Sequence, residues 1–106
     1  MSSEQQIQSQ VIKYLESIGA YVIKVISANK SGVPDVHACL NGRWISIEMK
    51  KPGAKPDPLQ LHHLQMIQRA GGLATWASSL SQVQDFLTQH NLIQSTEDDI
   101  WFTSTT

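Results

Sequence analysis

The spacing of apolar residues predicts a helix at the start of the chain. Ser3 and Gln6 have the spacing of a capping box, in which each side chain bonds the backbone N–H of the other residue. The apolar residues that follow recur every three or four positions: Ile7, Val11, Tyr14, Leu15 and Ile18. Gly19 suits the position just after a helix end. We therefore predict a first helix that begins after Ser3 and stops at Gly19.

Short β-branched and alternating segments predict four strands. Residues 20–27 (AYVIKVIS) are short and rich in β-branched side chains, so they read as a strand. Residues 35–50 read as a β-hairpin, because Asn41-Gly42 is the dipeptide that best tolerates the positive φ angles of a type I′ turn. Residues 73–77 (LATWA) predict a further short strand.

Two later segments have helix signals. Asp57, Pro58 and Gln60 suit the N-cap, N1 and N3 positions of a second long helix, which ends at Gly71-Gly72. The apolar residues between residues 81 and 90 predict a third helix.

The predicted order is α-β-β-β-α-β-α, a single α/β domain over residues 1–93. The stretch between the last two strands is long enough for a helical crossover, so we expect these strands to be parallel and the sheet to be mixed. Residues 94–106 form an acidic and aromatic tail that either adds a late strand or packs on the domain or on a partner.

Composition agrees with one small domain, but the net charge is misleading. The chain has 106 residues and a formal charge of −1, which argues against a nucleic-acid partner. Between residues 24 and 55, however, six basic and two acidic residues give a local balance of +4, whereas residues 97–99 contribute −3. A solvated face is the ordinary explanation of such a stretch. Alternatively, Lys30, Lys51 and Lys55 contact phosphates, which would position a nucleic acid without reading its sequence.

Several classes of protein are excluded. The single cysteine, Cys39, rules out an internal disulfide framework and a cysteine-only metal site. No apolar run reaches the roughly 18 residues of a membrane-spanning helix. The first ten residues lack the basic and then apolar layout of a signal peptide. We therefore expect an intracellular protein with no membrane partner.

Candidate chemistry lies at the open end of the hairpin. In RWISIEMK, side chains alternate between faces, so Glu48 and Lys50 share the face opposite Met49. Asp35 begins the paired strand, and a hairpin of this length brings it opposite Glu48. Two carboxylates with water and a backbone carbonyl form a suitable oxygen site for Mg²⁺ or Mn²⁺. Lys50 could orient a water molecule or stabilise charge on a phosphate.

The motifs P-D and E-x-K, separated by a hairpin, resemble the PD-(D/E)xK nuclease superfamily. Within that superfamily, the chain is most similar to the virus-type replication-repair nuclease (VRR-NUC) domain in its short, stand-alone, phage-like form. The resemblance runs from Glu4 through SGVPD and IEMK to Gln60 and the segment Ala70-Gly71-Gly72. The last twelve or so residues lie outside it.

The resemblance implies a PD-(D/E)xK core with an Mg²⁺ or Mn²⁺ site. Asp35 and Glu48 would bind the metal, the Met49 carbonyl would complete the site, and Lys50 would be the catalytic lysine. The implied activity is metal-dependent hydrolysis of DNA phosphodiester bonds, with branched DNA as substrate. The small viral members resemble Holliday-junction resolvases and act as homodimers. A phage-encoded member would work in the cytoplasm of its bacterial host.

Two further residues match the family pattern and also have ordinary explanations. Glu4 matches the acid that such nucleases often supply from the first helix, as a catalytic residue or metal ligand. An acid in a first helical turn also complements the helix dipole. Gln60 matches the glutamine after the E-x-K strand, and it equally fits a capping box with Asp57. Both roles can coexist in one residue.

Two other functions stay open at this point: a catalytically silent DNA-binding module with a nuclease-like fold, and an assembly subunit that uses its aromatic tail. The remaining histidines, cysteine and tryptophans have ordinary expectations. We expect a bystander role for His37, exposure of His62 and His63, burial of Cys39 and Trp76, and packing of Trp44 in the hairpin rather than stacking on a base.

Overall fold

A computed structural model describes residues 3–94 of the chain. It contains three helices and four strands: α1 (Glu4–Ser17), β1 (Tyr21–Lys24), β2 (Val36–Leu40), β3 (Arg43–Met49), α2 (Pro58–Arg69), β4 (Leu73–Ala77) and α3 (Leu80–Gln89). Across the described part of the chain, none of the helices combines the length and apolar character that crossing a membrane requires. The predicted roles of the tail fall on residues 95–106, outside the described residues.

The four strands form one mixed sheet in the order β1-β2-β3-β4. The β1–β2 and β2–β3 pairs are antiparallel, whereas β3 and β4 are parallel and are joined by α2. The order α-β-β-β-α-β-α and the parallel final pair are therefore as predicted, and the α/β fold class of the PD-(D/E)xK type is confirmed.

The β2–β3 hairpin has the predicted turn. Asn41 and Gly42 have φ angles of 52° and 79°, and the turn closes on the Leu40–Arg43 pair. Such consecutive positive φ angles match the right-handed twist of the flanking strands, which is why Asn-Gly is favoured there. The turn fixes the register of every pair beyond it, up to the open end of the hairpin.

The apolar core lies on one face of the sheet. Helices α1 and α3 pack against this face, and α1 contributes the stripe Ile7, Val11 and Leu15. The strands contribute alternate residues, among them Ile45, Ile47 and Met49 of β3. Full burial of a side chain of this size contributes about 1.5–3 kcal/mol. The core thereby holds β3 with its even-numbered side chains turned to the opposite face.

Two helices begin with the predicted capping boxes. In α1, the Ser3 hydroxyl accepts a hydrogen bond from the Gln6 N–H, and the Gln6 side chain accepts one from the Ser3 N–H. Asp57 and Gln60 make the same pair of bonds at the start of α2. These bonds satisfy N–H groups that a helix start otherwise leaves without a partner.

Helix α2 covers part of the second face of the sheet. It packs mainly on β4 and partly on β3. The loop before β2 runs against the start of α2, and Gly32, with a φ of 83°, comes so close that a Cβ there would lie 2.7 Å from Leu59 Cγ. Gly32 is therefore required for both its conformation and its lack of a side chain.

Because α2 covers only part of this face, three side chains differ from the predicted burial or exposure. Cys39 is exposed, and Trp76 is 37% exposed rather than buried, because α2 leaves much of this face open. His63 is buried rather than exposed, since it lies on the side of α2 that meets the Gly32 loop. His62 is exposed as predicted. The first strand is also shorter than residues 20–27.

We expect Gly32→Ala to destabilise the protein more than Gly53→Ala. Both glycines have similar positive φ angles (83° and 88°), but nothing lies within 4 Å of a Cβ built at Gly53. The unfavourable backbone conformation costs about 1 kcal/mol in each variant. The contact with Leu59 adds about 1–3 kcal/mol in Gly32→Ala alone. Urea denaturation of the two variants measures this difference.

Shortening the neighbouring side chain provides the control. Leu59 is partly exposed, so Leu59→Ala gives the new methyl group room at modest cost. In that background, the two glycine variants should lose similar amounts of stability. Equal losses already in the wild-type background would show that the loop does not press against α2 as described.

Candidate functional site

The hairpin register places two carboxyl groups side by side at its open end. Val36 pairs with Ile47, so the next position outward sets Asp35 beside Glu48. Asp35 is held from both sides, because its carbonyl accepts a hydrogen bond from the Val25 N–H (2.8 Å) and its Oδ2 accepts one from the Met49 N–H (3.1 Å). The carboxylate is thus fixed to the end of β3.

The Glu48 side chain is buried without full hydrogen bonding. Its residue is 2% exposed, in the part of the sheet that α2 and the Gly32 loop flank. Among the described residues, its Oε1 is the one buried side-chain oxygen or nitrogen that has no hydrogen-bond partner. Buried polar atoms are normally paired, so an orphaned carboxyl oxygen in a native protein calls for a partner.

The protonation of Glu48 reflects this environment. Burial raises the pKa of Glu48 from its ordinary 4.5 to about 8, and a hydrogen bond to Asp35 and the charge of Asp35 add to the effect. The nearby ammonium of Lys50 opposes the rise in pKa, and the carboxylate of Glu4 reinforces it. Without a cation, Glu48 therefore keeps its proton near neutral pH.

Lys50 and the Met49 carbonyl lie at the same end of β3. The Lys50 N–H donates to the Ala77 carbonyl of β4 (2.9 Å), which anchors the strand end, while its half-buried side chain acts on Glu48. The N–H and C=O of one strand residue point to the same neighbour. Because the Met49 N–H bonds Asp35, the Met49 carbonyl is directed to the Asp35 side of the strand.

Glu4 approaches the pair from another element. It is the first residue of α1, and it is close enough for its charge to raise the pKa of Glu48. Its place in the first helical turn also complements the helix dipole, so both predicted roles are compatible with its position. In residues 3–94, however, no three acidic, histidine or cysteine side chains are arranged as a metal-ligand group. Glu4 is therefore near Glu48, and its role as a metal ligand stays a prediction.

The Gln60 side chain takes part in the capping box at the start of α2. Its side-chain oxygen accepts a hydrogen bond from the Asp57 N–H (3.0 Å) and its N–H donates to Asp57 Oδ1 (2.9 Å). The structure therefore shows the capping box and, within the described residues, no hydrogen bond from Gln60 to the carboxyl pair. Its contribution to a site stays a prediction.

The three lysines predicted to contact phosphates are exposed on loops. Lys30 lies in the loop before β2, and Lys51 and Lys55 lie in the loop between β3 and α2. Both loops adjoin the ends of the strands that carry Asp35 and Glu48. The lysine positions therefore flank the carboxyl pair.

The donor set fits a hard divalent cation. Two carboxyls and one backbone carbonyl are oxygen ligands, which Mg²⁺ and Mn²⁺ prefer, and Mg²⁺ commonly uses only one or two carboxylates and keeps several waters. A cation would also give Glu48 Oε1 the partner that it lacks and would favour its ionised form. The residues present thus fit such an ion.

Comparisons with known proteins identify the fold and show which proteins the chain is similar to. A solved structure titled "VRR_NUC domain" matches with a TM-score of 0.71 and 29% sequence identity, over 85% of this chain and 98% of that one. The chain is also 39% identical over 59 residues to "Putative nuclease p44" of Acyrthosiphon pisum secondary endosymbiont phage 1. The chain is therefore similar in fold to VRR-NUC domains and similar in sequence to a phage nuclease.

The remaining comparisons set the extent of this relationship. The match to the phage protein spans 55% of this chain and 63% of the phage protein. A second solved structure, titled "VRR_NUC domain protein", shares the fold with a TM-score of 0.65 and 19% identity over 82% of this chain and 89% of that chain. No protein-family model matches the chain.

Sequence reasoning missed a polar network beside the carboxyl pair. His37 Nδ1 lies 2.7 Å from Ser46 Oγ, and the Trp44 Nε1–H donates to the same hydroxyl (2.8 Å). His37 and Ser46 are buried and directly paired across β2 and β3. The predicted register already placed them opposite each other, so this signal was available. Burial lowers the pKa of His37 below 6.5 despite the nearby Pro34 carbonyl and Asp35 charge.

The metal-free protein should lose stability as the pH rises from about 7 to about 8. The folded state holds a proton on Glu48 with a pKa of about 8, whereas the unfolded state releases it near 4.5. Between these values unfolding releases a proton, so higher pH favours the unfolded state by at most about 1.4 kcal/mol per pH unit. The lowered pKa of His37 places its own effect below this range. Urea denaturation in a chelator measures the slope.

Glu48→Gln should flatten this pH dependence, because the amide does not titrate. Glu16→Gln, an exposed position of α1, is the matched control and should keep the wild-type slope. The same slope in Glu48→Gln and wild type would contradict the raised pKa of Glu48.

Proposed function

We propose that this chain is a metal-dependent endonuclease that hydrolyses DNA phosphodiester bonds. The nuclease name of the phage relative and the VRR-NUC titles of the two solved structures support this class of activity. The relative's match covers 63% of its own length, so the activity is argued from the residues of this chain.

The observation that carries the proposal is the carboxyl pair, in which Glu48 is buried and Asp35 is half-buried. Asp35 and Glu48 are held together by the β2–β3 register, and Glu48 Oε1 has no hydrogen-bond partner in residues 3–94. Bringing two carboxyls together in a buried place is unfavourable unless a proton or a cation is shared. Such an arrangement costs free energy of folding that a purely structural role would not require. It is, however, well suited to binding a divalent ion.

Asp35, Glu48 and the Met49 carbonyl would hold Mg²⁺ or Mn²⁺. When bound, such an ion lowers the pKa of a water molecule and offsets the negative charge of the phosphate. Hydrolysis then forms a bond from the water oxygen to phosphorus and breaks one P–O ester bond.

Besides the metal ion, the Lys50 side chain would supply positive charge to the site. Its ammonium is close enough to lower the pKa of Glu48, and Lys50 is the first residue after β3, two positions beyond Glu48. A lysine in this position donates hydrogen bonds to a phosphate oxygen, or orients the attacking water, as negative charge develops. The exposed Lys30, Lys51 and Lys55 contact phosphates on either side of the scissile bond.

A cleavage assay tests the proposal. Plasmid, flap and four-way-junction DNA are incubated with Mg²⁺ or Mn²⁺ and with wild type, Asp35→Asn or Lys50→Ala. Loss of Lys50 should lower the rate about 10²–10³-fold, because a charge aimed at the reacting phosphate is removed. Loss of Asp35 should lower it at least as much. Lys13→Ala removes an exposed charge from α1 and should cut as wild type does.

Three outcomes would contradict the proposal. If the Asp35 and Lys50 variants cut as fast as the wild type, the site is wrongly assigned. If the wild type binds DNA but cuts none of these substrates with either ion, the chain is a silent DNA-binding module. A chain with no affinity for DNA at low salt is instead an assembly subunit.

We further propose branched DNA as the substrate and a homodimer as the active form. A two-fold dimer would present two carboxyl pairs to the two strands of a symmetric junction. The dimer is supported by the edge strand β1, where Tyr21 and Ile23 are 74% and 44% exposed, and by the neighbouring Ile26, which is 83% exposed. Apolar side chains gathered at a sheet edge are typical of protein contacts.

Light scattering coupled to size exclusion tests the dimer. The wild type should elute as a dimer at micromolar concentration, and Tyr21→Lys should elute as a monomer, because a charge would be buried in the interface. The monomeric variant should nick a four-way junction instead of cutting both strands together. A monomeric wild type that still cuts both strands would contradict the dimer.

A further inference from the structure

We propose that the pocket beside the β2–β3 turn is a second DNA-binding site that stacks one unpaired nucleotide. The identity of the ligand rests on the proposed function, since DNA is the polymer that the carboxyl pair would act on. The pocket has a volume of about 480 Å³ and is lined by Arg43 and Trp44 of β3, Ile67 of α2 and the glycines Gly42, Gly71 and Gly72.

Trp44 presents a fixed aromatic surface to this pocket. Its side chain is 48% exposed, although tryptophan is usually more deeply buried. Its Nε1–H already donates to Ser46 Oγ (2.8 Å), and Ser46 is in turn bonded to His37. The His37 ring lies 5.3 Å from the Trp44 ring, tilted by 35°. These contacts fix the orientation of the indole, and its Nε1–H already has a hydrogen-bond acceptor. The part of Trp44 that remains available to a ligand is therefore its apolar ring.

Gly72 keeps the pocket open. A Cβ at this residue would lie 3.0 Å from Trp44 Cδ1 and 2.9 Å from Ile67 Cγ2. A side chain there would press on the tryptophan ring and fill the space between β3 and the end of α2. The cavity thus depends on a glycine whose replacement leaves the distant carboxyl pair untouched.

The charge of the pocket favours a nucleotide over an acidic or purely apolar ligand. Arg43 is exposed at its rim, and none of its lining residues is acidic. An arginine beside a free aromatic face is the combination that holds a phosphate and stacks its base. Every base has a π face, so such a contact tolerates any sequence.

The pocket and the carboxyl pair can contact one DNA molecule. Trp44 and Glu48 are four residues apart on the same face of β3, which corresponds to about 13 Å at roughly 3.3 Å per residue. That distance equals about four base steps of 3.4 Å. A paired base has both faces covered by its neighbours, so the pocket is suited to a base that is unpaired or at an end. We infer that it selects DNA with an unpaired nucleotide about four steps from the cut.

Fluorescence anisotropy in a chelator tests the site without cleavage. The probes are a blunt duplex and the same duplex with a short single-stranded overhang. Wild type should bind the overhang DNA about tenfold more tightly, and Trp44→Ala should lose this preference, because stacking of one base is removed. Trp44→Phe keeps a ring and should retain most of it. Gly72→Ala, which narrows the pocket, should also weaken overhang binding.

Salt dependence separates the two halves of the site. Arg43→Gln should reduce the slope of log K against log salt by about one, because one phosphate contact is lost. Trp44→Ala should lower the affinity and leave this slope unchanged. Lys13→Gln, with its exposed charge on α1, is the control and should alter neither quantity. Thermal unfolding of each variant checks that the fold persists.

The outcomes distinguish this proposal from the proposed function. One outcome is an overhang preference that depends on Trp44, with no cleavage under any divalent ion. It would support nucleotide binding in the pocket and contradict the proposed nuclease activity. Cleavage that proceeds while Trp44→Ala and Gly72→Ala keep the overhang preference supports the nuclease and overturns the pocket. No DNA binding by wild type at low salt overturns both. Unchanged DNA affinity with a dimer-to-monomer change in Trp44→Ala would show that the pocket binds a second copy of the chain.

Discussion

The adjacency of Asp35 and Glu48 is the constraint on which the rest of the structure depends. Asp35 directly precedes β2 and Glu48 is the second-last residue of β3, so their meeting requires the hairpin to be in the observed register. A shift of one residue would turn Glu48 toward the apolar core and Ile47 toward the open face. The tight turn at Asn41-Gly42 prevents that shift, and the alternation of buried residues along β3 reinforces it.

The surrounding elements explain why the pair is unusual electrostatically. α2 and the loop at Gly32 flank the end of the sheet where Glu48 lies, which limits the access of water. Glu4 and Lys50 approach it with opposite charges and opposite effects on its pKa. A pKa of about 8 for a glutamic acid marks a place where a proton substitutes for a cation. The residues that stabilise the fold thereby also form a site whose negative charge lacks one balancing positive charge.

Local patterns predicted most of the fold, because they report local physics. Both capping boxes, the Asn41-Gly42 turn and the β4 strand follow from spacing within a few residues, and all are present. The parallel pairing of β3 and β4 followed from the length of the connection between them. The adjacency of Asp35 and Glu48 was also predictable, since a tight turn and a period of two fix it together.

Features that depend on how α2 covers the sheet were not predictable. Burial of His63 and exposure of Cys39 and Trp76 depend on which half of the second face the helix covers, and no pattern within one element specifies that. The three-residue network of His37, Ser46 and Trp44 needed both register and side-chain geometry. Gln60 shows another limit of sequence analysis. The capping box already explains why a glutamine occurs at this position, so the sequence alone does not reveal whether Gln60 also has a role in the site.

The central claim, that Asp35 and Glu48 form a divalent-cation site, is tested most directly by calorimetric titration of the metal-free protein with Mn²⁺ near neutral pH. Repeating the titration in buffers of different ionisation enthalpy counts the protons released. The account predicts binding that releases up to one proton, because the cation displaces the proton on Glu48, and predicts loss of that proton release in Glu48→Gln. Absence of binding, or binding to wild type and Glu48→Gln with the same affinity and no proton release, would contradict it.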